Sequence, residues 1–507
     1  MHVRTGLFAT VAAGALFAAG AVQAQLAAED VWAQWVEAAE LGGQTVAVGS
    51  QSKAGGVLSL SGVVFALDVP EGEVTATVTI DQISLAEQGD GSVAISMSDS
   101  YPMSMRFDGM APDDALVITI SHPGLTMTAS GAPGAINYVY AAPEFGMEVT
   151  ELRADGEDID AILRARVGNL SGEYTVTDGA VRELASLTRM GSFDFVVDFE
   201  EPNGYGYIKA AAGLAGVEMM LNGTALEAFD GEDIGEALRD GFAVDFAIGY
   251  ERASVDVDFE DWGERTVFRG SATNAGARFR LNADELYYST SSRNSTATMS
   301  GADMPLPEVT FGTAETDIEI RMPLRAVGDS QDIRFGFRML GLTLDDMSWS
   351  MVDPFNAFGN SPISLVLDLV GKVALNGDVY DDDMMFGIMM FGPLALGEVR
   401  ELNLRELLVD AVGARLAGNA AFTFDFSDFE TIPGFPKAVG VLNLALEGGN
   451  ALLDKLIDMG IVGPDEAMGF RMGAAMLTRP GDGPDTMVST IEIREDGAIL
   501  ANGQRIQ

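Results

Sequence analysis

Cysteine is absent from the 507 residues, and histidine occurs only at His2 and His122. Without thiols the fold gains no disulfide brace and offers no sulfur nucleophile or soft metal ligand. A single histidine in the body of the chain cannot build a multi-His zinc site. A Ser-His-Asp arrangement around His122 would lack the Gly-x-Ser-x-Gly elbow that presents the nucleophile. His122, followed by Pro123 after the strand pattern Leu116 to Ile120, therefore reads as a turn-capping or surface residue. No phosphate-binding glycine loop, dinucleotide fingerprint or basic aromatic patch occurs, and no catalytic residue, metal ligand or cofactor is assigned. Positive charge is scarce as well: 30 basic residues, only five of them lysine, face 76 acidic ones for a net charge of −46. Such a chain repels nucleic acid and anionic surfaces and stays soluble through its charge.

Long apolar runs are missing beyond the N-terminus, so nothing after it has the roughly 20 apolar residues of a membrane helix. The first 24 residues read as an export signal: Arg4 in a short basic start, an apolar stretch from Gly6 to Val22, and Val22-Gln23-Ala24 as a small-residue cleavage site. Cleavage after Ala24 is expected to leave Gln25 as the first residue of a periplasmic protein with no transmembrane anchor. With 47% hydrophobic and 21% charged residues, that chain can bury a large core and exceeds the usual single-domain size.

What is present in abundance is alternation. An amphipathic helix is expected from Ala27 to Leu41, with Val31, Trp35, Ala38 and Ala39 on one side and Glu29, Gln34 and Glu37 largely on another. A period of two then takes over. Val74, Ala76, Val78 and Ile80 alternate with Thr75, Thr77, Thr79 and Asp81. The same pattern returns at Phe193 to Phe199, Phe242 to Ile248, Ile333 to Phe337 and Ile363 to Leu369, predicting half-buried strands. Asp-Gly and Asn-Gly pairs at Asp90, Asp108, Asp178, Asn203, Asn222, Asn376, Asp496 and Asn502 suit tight hairpins, so the sheet should be antiparallel. Helices are expected at Glu157 to Arg166, Glu232 to Arg239, Leu402 to Leu416, Ala451 to Met459 and Pro464 to Leu477. The first two sit in a short repeat, Asp155-Gly-Glu-Asp-Ile159 and Asp230-Gly-Glu-Asp-Ile234. This is either a repeated unit or two uses of one helix-start sequence. Gly301 to Pro307 is the candidate boundary between an N-terminal β-rich half with its leading helix (25–302) and a C-terminal β-rich half with late helices (303–507).

Four clusters invite chemistry. Ser50-Gln51-Ser52-Lys53 has acyl-serine spacing but lies between a strand pattern and Gly55-Gly56 without the partner motifs, and reads as a β-turn. Asp256, Asp258 and Glu260 would line one strand face, about 6.6 Å apart, with Arg252 and Arg265 near enough in sequence to neutralise them. Asp378, Asp381, Asp382 and Asp383 fail the calcium-loop spacing. The most unusual stretch is Met384, Met385, Phe386, Gly387, Ile388, Met389, Met390, Phe391, which as a strand would be apolar on both faces. It is either buried between layers or, through the pliability of methionine, an adaptable surface for apolar ligands. Thioether copper binding is weaker, since no polar shell accompanies the sulfurs. Replacement of Met385 or Met389 by Asp should then remove ligand rather than unfold the chain.

Leu342-Thr-Leu-Asp-Asp-Met-Ser-Trp349, then Asp353-Pro354, Asn360-Ser-Pro362 and Leu365-Val-Leu-Asp-Leu369, resemble a signature of exported, uncharacterised alphaproteobacterial periplasmic proteins that share a domain of unknown function. The closing pattern, a helix at Leu452 to Met459 followed by Ile491-Glu-Ile493, Asp496-Gly497 and Asn502-Gly503, resembles the same family, most clearly from about residue 305 onward. The resemblance implies an envelope location and carries no catalytic residues.

The expected fold is mainly β, with antiparallel, elongated or curved sheets in two halves and a few packing helices. Three functions follow in order: non-catalytic binding of lipids or other apolar molecules in a sheet-lined groove, with Met384, Met385, Phe386, Met389, Met390 and Phe391 as the ligand-binding candidates; a scaffold docking envelope proteins on its edge strands; and a hydrolase whose carboxylates meet only in the fold. An outer-membrane barrel ranks below these, because aromatics make up only 8% of the chain.

Overall fold

The computed structural model describes residues 25–507 apart from 70–73, 108–110, 112–113, 155, 180, 202–203, 226–232, 303 and 393–394. The export signal read at 1–24, the turn pairs at Asp108 and Asn203, and the starts of both repeat copies lie outside the described residues. Helix α1 (Ala28–Leu41) leads into β1 (Gln44–Ala54), β2 (Val57–Val69), β3 (Val74–Glu87), β4 (Val93–Met97), β5 (Ser100–Phe107), β6 (Ala115–Ser121), β7 (Thr126–Ala132) and β8 (Ala135–Ala154). A short β9 (Glu157–Asp158) precedes the long strands β10 (Ala161–Thr177), β11 (Arg182–Glu200) and β12 (Gly206–Ala225). Next come α2 (Ile234–Arg239), β13 (Val244–Asp261), β14 (Glu264–Leu281), β15 (Glu285–Gly301), β16 (Val309–Pro323) and β17 (Gln331–Leu344). The remainder is α3 (Asp346–Val352), β18 (Ile363–Leu375), α4 (Asp382–Phe391), β19 (Gly397–Ala411), β20 (Ala414–Asp425), β21 (Lys437–Glu447), α5 (Gly449–Asp458), α6 (Pro464–Leu477), β22 (Arg479–Pro480), β23 (Thr486–Ile493), β24 (Ile499–Ala501) and β25 (Gln504–Arg505).

Every ladder is antiparallel, and all strands join one sheet, so the chain is mainly β with few helices. Its N-terminal end closes on itself. The first part of β3 pairs with β5 and its second part with β4; the two branches rejoin on β8 through β6 and β7. Helix α1 fills this bowl. Val31 and Trp32, preceded by Leu26, pack on Leu58, Leu60, Ile83, Leu85, Val93 and Ile136, all buried. Each such side chain contributes about 1.5–3 kcal/mol by leaving water. Gln34, expected on the wet side, is buried in the same core, where its Oε1 accepts the Tyr138 hydroxyl at 2.7 Å. His122 is also interior, 2% exposed and edge-on to Tyr101 at 5.4 Å, rather than at the surface.

From β8 the sheet runs through β10 to β21 as a plain meander and ends on β23, β24 and β25, whose shortness, with Pro480 in β22, blunts that edge. No ladder among the described residues joins β1 to the far edge, so the sheet is open. The stretch from Gly301 to Pro307 links β15 and β16, which pair directly, Met299 opposite Val309.

The middle of the long strands carries a crease. Asn169, Gly216, Asn274, Asn294 and Gly341 all have positive φ, between 44° and 64°, and lie along one line across β10, β12, β14, β15 and β17. Each marks an inserted bulge residue. At Gly216 the positive φ favours glycine, and an added Cβ, 2.6 Å from the Glu251 side chain, would push that side chain aside. The insertion shifts the alternation by one position and keeps the apolar set on one side. Ser295 Oγ reaches Ser292 Oγ at 3.1 Å and Thr316 Oγ1 reaches Thr313 Oγ1 at 3.2 Å, contacts that residues three apart on an unbroken strand cannot make.

Several expected helices are strands. Leu402 to Leu416 forms the β19–β20 hairpin: a register shift between Leu404 and Leu407 spaces Leu402, Leu404, Leu407 and Val409 so that they imitate a helical stripe. Glu157 to Arg166 forms β9 and β10, held between β8 and β11, whereas the second repeat copy starts α2 with the Asp233 carboxylate accepting from the Glu236 amide. Asp158-Ile159 and Asp233-Ile234, the part described in both copies, thus lead into a strand in one and a helix in the other. Asn222-Gly223 lies inside β12, not in a turn. Ser50 to Lys53 lies in β1, and the turn falls at Gly55-Gly56.

Candidate functional site: an uncovered apolar face

The ladder register lines up residues from every long strand. One row starts at Tyr138 in β8 and passes through Tyr174, Ser186, Leu221, Phe246, Phe279, Tyr288, Ile320, Phe335, Leu369, Leu404, Ala420 and Leu442 to Ile491 in β23. At about 4.8 Å per strand it spans about 60 Å. Across the crease a parallel row runs Ala165, Phe195, Ala212, Val255, Gly270, Ala297, Phe311, Leu344. The result is a broad apolar surface on one side of the sheet.

Helices lie over the surface at both of its ends. At the N-terminal end α1 lies over it: Tyr138 stacks on Tyr174 at 4.5 Å, and burial pushes the Tyr174 hydroxyl up to about 12. At the other end α5 and α6 sit over β20, β21 and β23. Between them Phe195, Phe259, Met299, Phe311 and Phe335 stay 37 to 43% exposed. An apolar surface this extensive exceeds the few hundred Å² that a soluble monomer ordinarily leaves in water.

The opposite face is polar and crossed by ion pairs. Asp245 is held below the usual carboxylate range by the Arg278 guanidinium at 2.7 Å, with Arg280 at 3.0 Å. Arg293 pairs with Asp317 at 2.6 Å and Arg338 with Glu406 at 2.6 Å. Of the acidic row on β13, Asp258 is bound by Arg265 at 2.5 Å and Asp256 by Arg269 at 2.9 Å, while Arg252 turns to Glu251. A 520 Å³ depression here is lined by Asp194, Asp256, Arg269 and Ser271, and the one cation among its lining residues, Arg269, is paired with Asp256. Among the described residues, every carboxylate whose pKa departs from its ordinary value is moved down, as at Glu29, Asp258, Glu285 and Asp345. None of these is held in its protonated, acid form. Among the described residues no group of three or more carboxylates or histidines is placed to hold a metal ion.

The methionine stretch is not a strand. Met384 to Phe391 lies in α4, between β18 and β19 at one end of the sheet. Asp382 and Asp383 in its first turn favour the helix dipole, and Gly392, at φ 77°, ends it. Met385, Phe386, Met389 and Met390 are exposed, while Met384 folds back towards Gly377. The helix is tied down by Arg239, which pairs with Asp381 at 2.9 Å. Met385, Phe386, Met389 and Met390 thus lie on an exposed side of a helix, neither sandwiched between layers nor part of a strand.

No protein-family model, curated protein or solved structure matches this chain.

Proposed function

We propose that this chain is a non-catalytic envelope protein that holds lipids or other apolar molecules against the uncovered face of its sheet. The observation carrying this reading is the continuous row from Tyr138 to Ile491, whose middle lies half-exposed between two helix-covered ends. Burying such a surface against acyl chains gains about 25 cal/mol per Å². The export signal at 1–24 and the family resemblance support a periplasmic location.

The test is native mass spectrometry of protein isolated from the periplasm without detergent, followed by solvent extraction. Stoichiometric lipid is expected, lost in Phe195→Asp and Phe335→Asp while the β-sheet circular dichroism is kept. Met389→Asp on α4 should retain it; loss only in that variant would move the binding surface to the methionine helix. A clean protein mass together with a cross-linked envelope protein would replace lipid holding by the scaffold reading.

A further inference from the structure

The apolar face runs into a cavity of about 750 Å³ under α5 and α6, floored by Leu446 and Met487. A separate feature is the free edge at the other side of the sheet. The C-terminal edge is broken into the short β22, β24 and β25, with Pro480 in β22. The N-terminal edge is β1, 11 residues that pair along one side with β2 and along the other with no strand among the described residues. About half of its backbone N–H and C=O groups therefore point outward, along roughly 36 Å. Proline and charge, which keep a free edge from pairing, are absent from Gln44 to Ser52. Lys53, the one charged side chain of β1, is drawn to Glu29 at 2.6 Å and Glu87 at 2.8 Å. Val46 and Val48 pack on the bowl core, while Thr45, Ala47 and every residue from Gly49 to Ala54 are exposed.

Charge around this edge selects what can pair with it. Between Gln25 and Met105, Lys53 is the one basic residue against eleven acidic ones. The elements beside β1 expose Glu40 on α1, Asp68 on β2 and Asp81 on β3. A second copy would bring an equally acidic edge, and two chains of net charge −46 repel each other. A basic strand meets opposite charge there and finds unpaired backbone groups in the same place.

We infer that β1 is a docking edge for an extended basic segment of another protein, which adds one strand to the sheet with its apolar side chains beside Val46 and Val48 and its basic ones beside Thr45 and Ala47. This goes beyond the apolar-face reading and does not depend on it, because β1 takes no part in the half-exposed middle of that face.

The probe is the end-capped, fluorescently labelled peptide Lys-Val-Lys-Val-Lys-Val-Lys, titrated into the full chain by anisotropy, with deuterium exchange of the complex. It is expected to bind and to slow exchange of amides between Gln44 and Ala54 and nowhere else in the sheet. Proline at its central valine should weaken it at least about tenfold, since strand pairing is lost, and glutamate in place of every lysine should abolish binding. Ala47→Lys, at an exposed position, should weaken the basic peptide about threefold, the worth of one exposed charge contact, whereas Ala47→Glu should not. Phe195→Asp, which tests the lipid-holding face, should bind the peptide as wild type does. Protection spread over acidic surface outside β1, or equal binding of the proline peptide, would show attraction without strand pairing and overturn the inference. No detectable binding of the basic peptide would overturn it as well.

Discussion

Two hairpin turns are built from unusual residues. Trp262-Gly263 and Val412-Gly413 each have both φ angles positive, in two-residue connections between Asp261 and Glu264 and between Ala411 and Ala414. This conformation favours Asn-Gly, and a β-branched residue is strained in it. Trp262 is compensated by stacking on Tyr205 at 4.5 Å, whereas Val412 has no such ring contact. Val412→Asn should therefore stabilise the chain by about 1 kcal/mol, read as a higher urea midpoint with unchanged slope. Asn502-Gly503, with the same pair of positive angles, is the form that could be read directly from residue types, since Leu500 faces Arg505 and Ala501 faces Gln504 across it. The burial of His122 was not legible. Nothing in its neighbours signals that Tyr101, in a separate strand, closes over the ring.

Helix α3 is fastened to the sheet by its cap. The Asp345 carboxylate accepts from the Ser348 hydroxyl at 2.6 Å, the Ser348 amide at 2.9 Å and the Thr310 amide of β16 at 2.6 Å. These bonds, that of the Ser348 hydroxyl foremost, lower its pKa to about 2. A carboxyl depressed in the folded state contributes stability above its unfolded pKa of about 3.9 that is lost as pH falls towards 2. Asp345→Asn should be destabilised at pH 6 and should have a thermal midpoint that falls less than wild type between pH 4 and 2; parallel acid limbs would contradict the assignment. At this scale the strands were legible from alternation, and α2, α5 and α6 from their helical patterns. The errors have a physical cause. A bulge breaks the period of two, so Leu402 to Val409 imitates a helix, and a run apolar at every position, Met384 to Phe391, has no period to read. The crease itself left a trace, a lone Asn169, Asn274 or Asn294 where the apolar phase slips by one.

Across the whole molecule the sequence pattern implied sheets with one apolar face, but which strands share a row depends on register, which only the folded ladders supply. The apolar face was therefore foreseeable as a property of single strands and not as a surface about 60 Å wide. The α5–α6 cavity was not foreseeable, because it depends on how a helix pair sits over β21 and β23. Cohesion is divided accordingly: the N-terminal bowl has a three-dimensional core, while each long strand packs chiefly on its two neighbours. Trp32→Ala should cost about 3–5 kcal/mol in the bowl. Hydrogen exchange should show lost protection from β1 to β8 and little change from β15 to β20, as in repeat proteins whose units contact only adjacent ones.

The open meander also bears on how such a gene can change. Adding one hairpin between β15 and β16 would widen the sheet by two strands, about 10 Å, without disturbing a packed interior, provided the new strands carry the same mid-strand insertion. A one-codon deletion at Asn294 would do the reverse damage. Half of β15 would turn inside out, sending Tyr288 to the ionic side and Arg293 to the apolar one. Length is thus an easily altered trait of this protein, and reading frame within the strand is not.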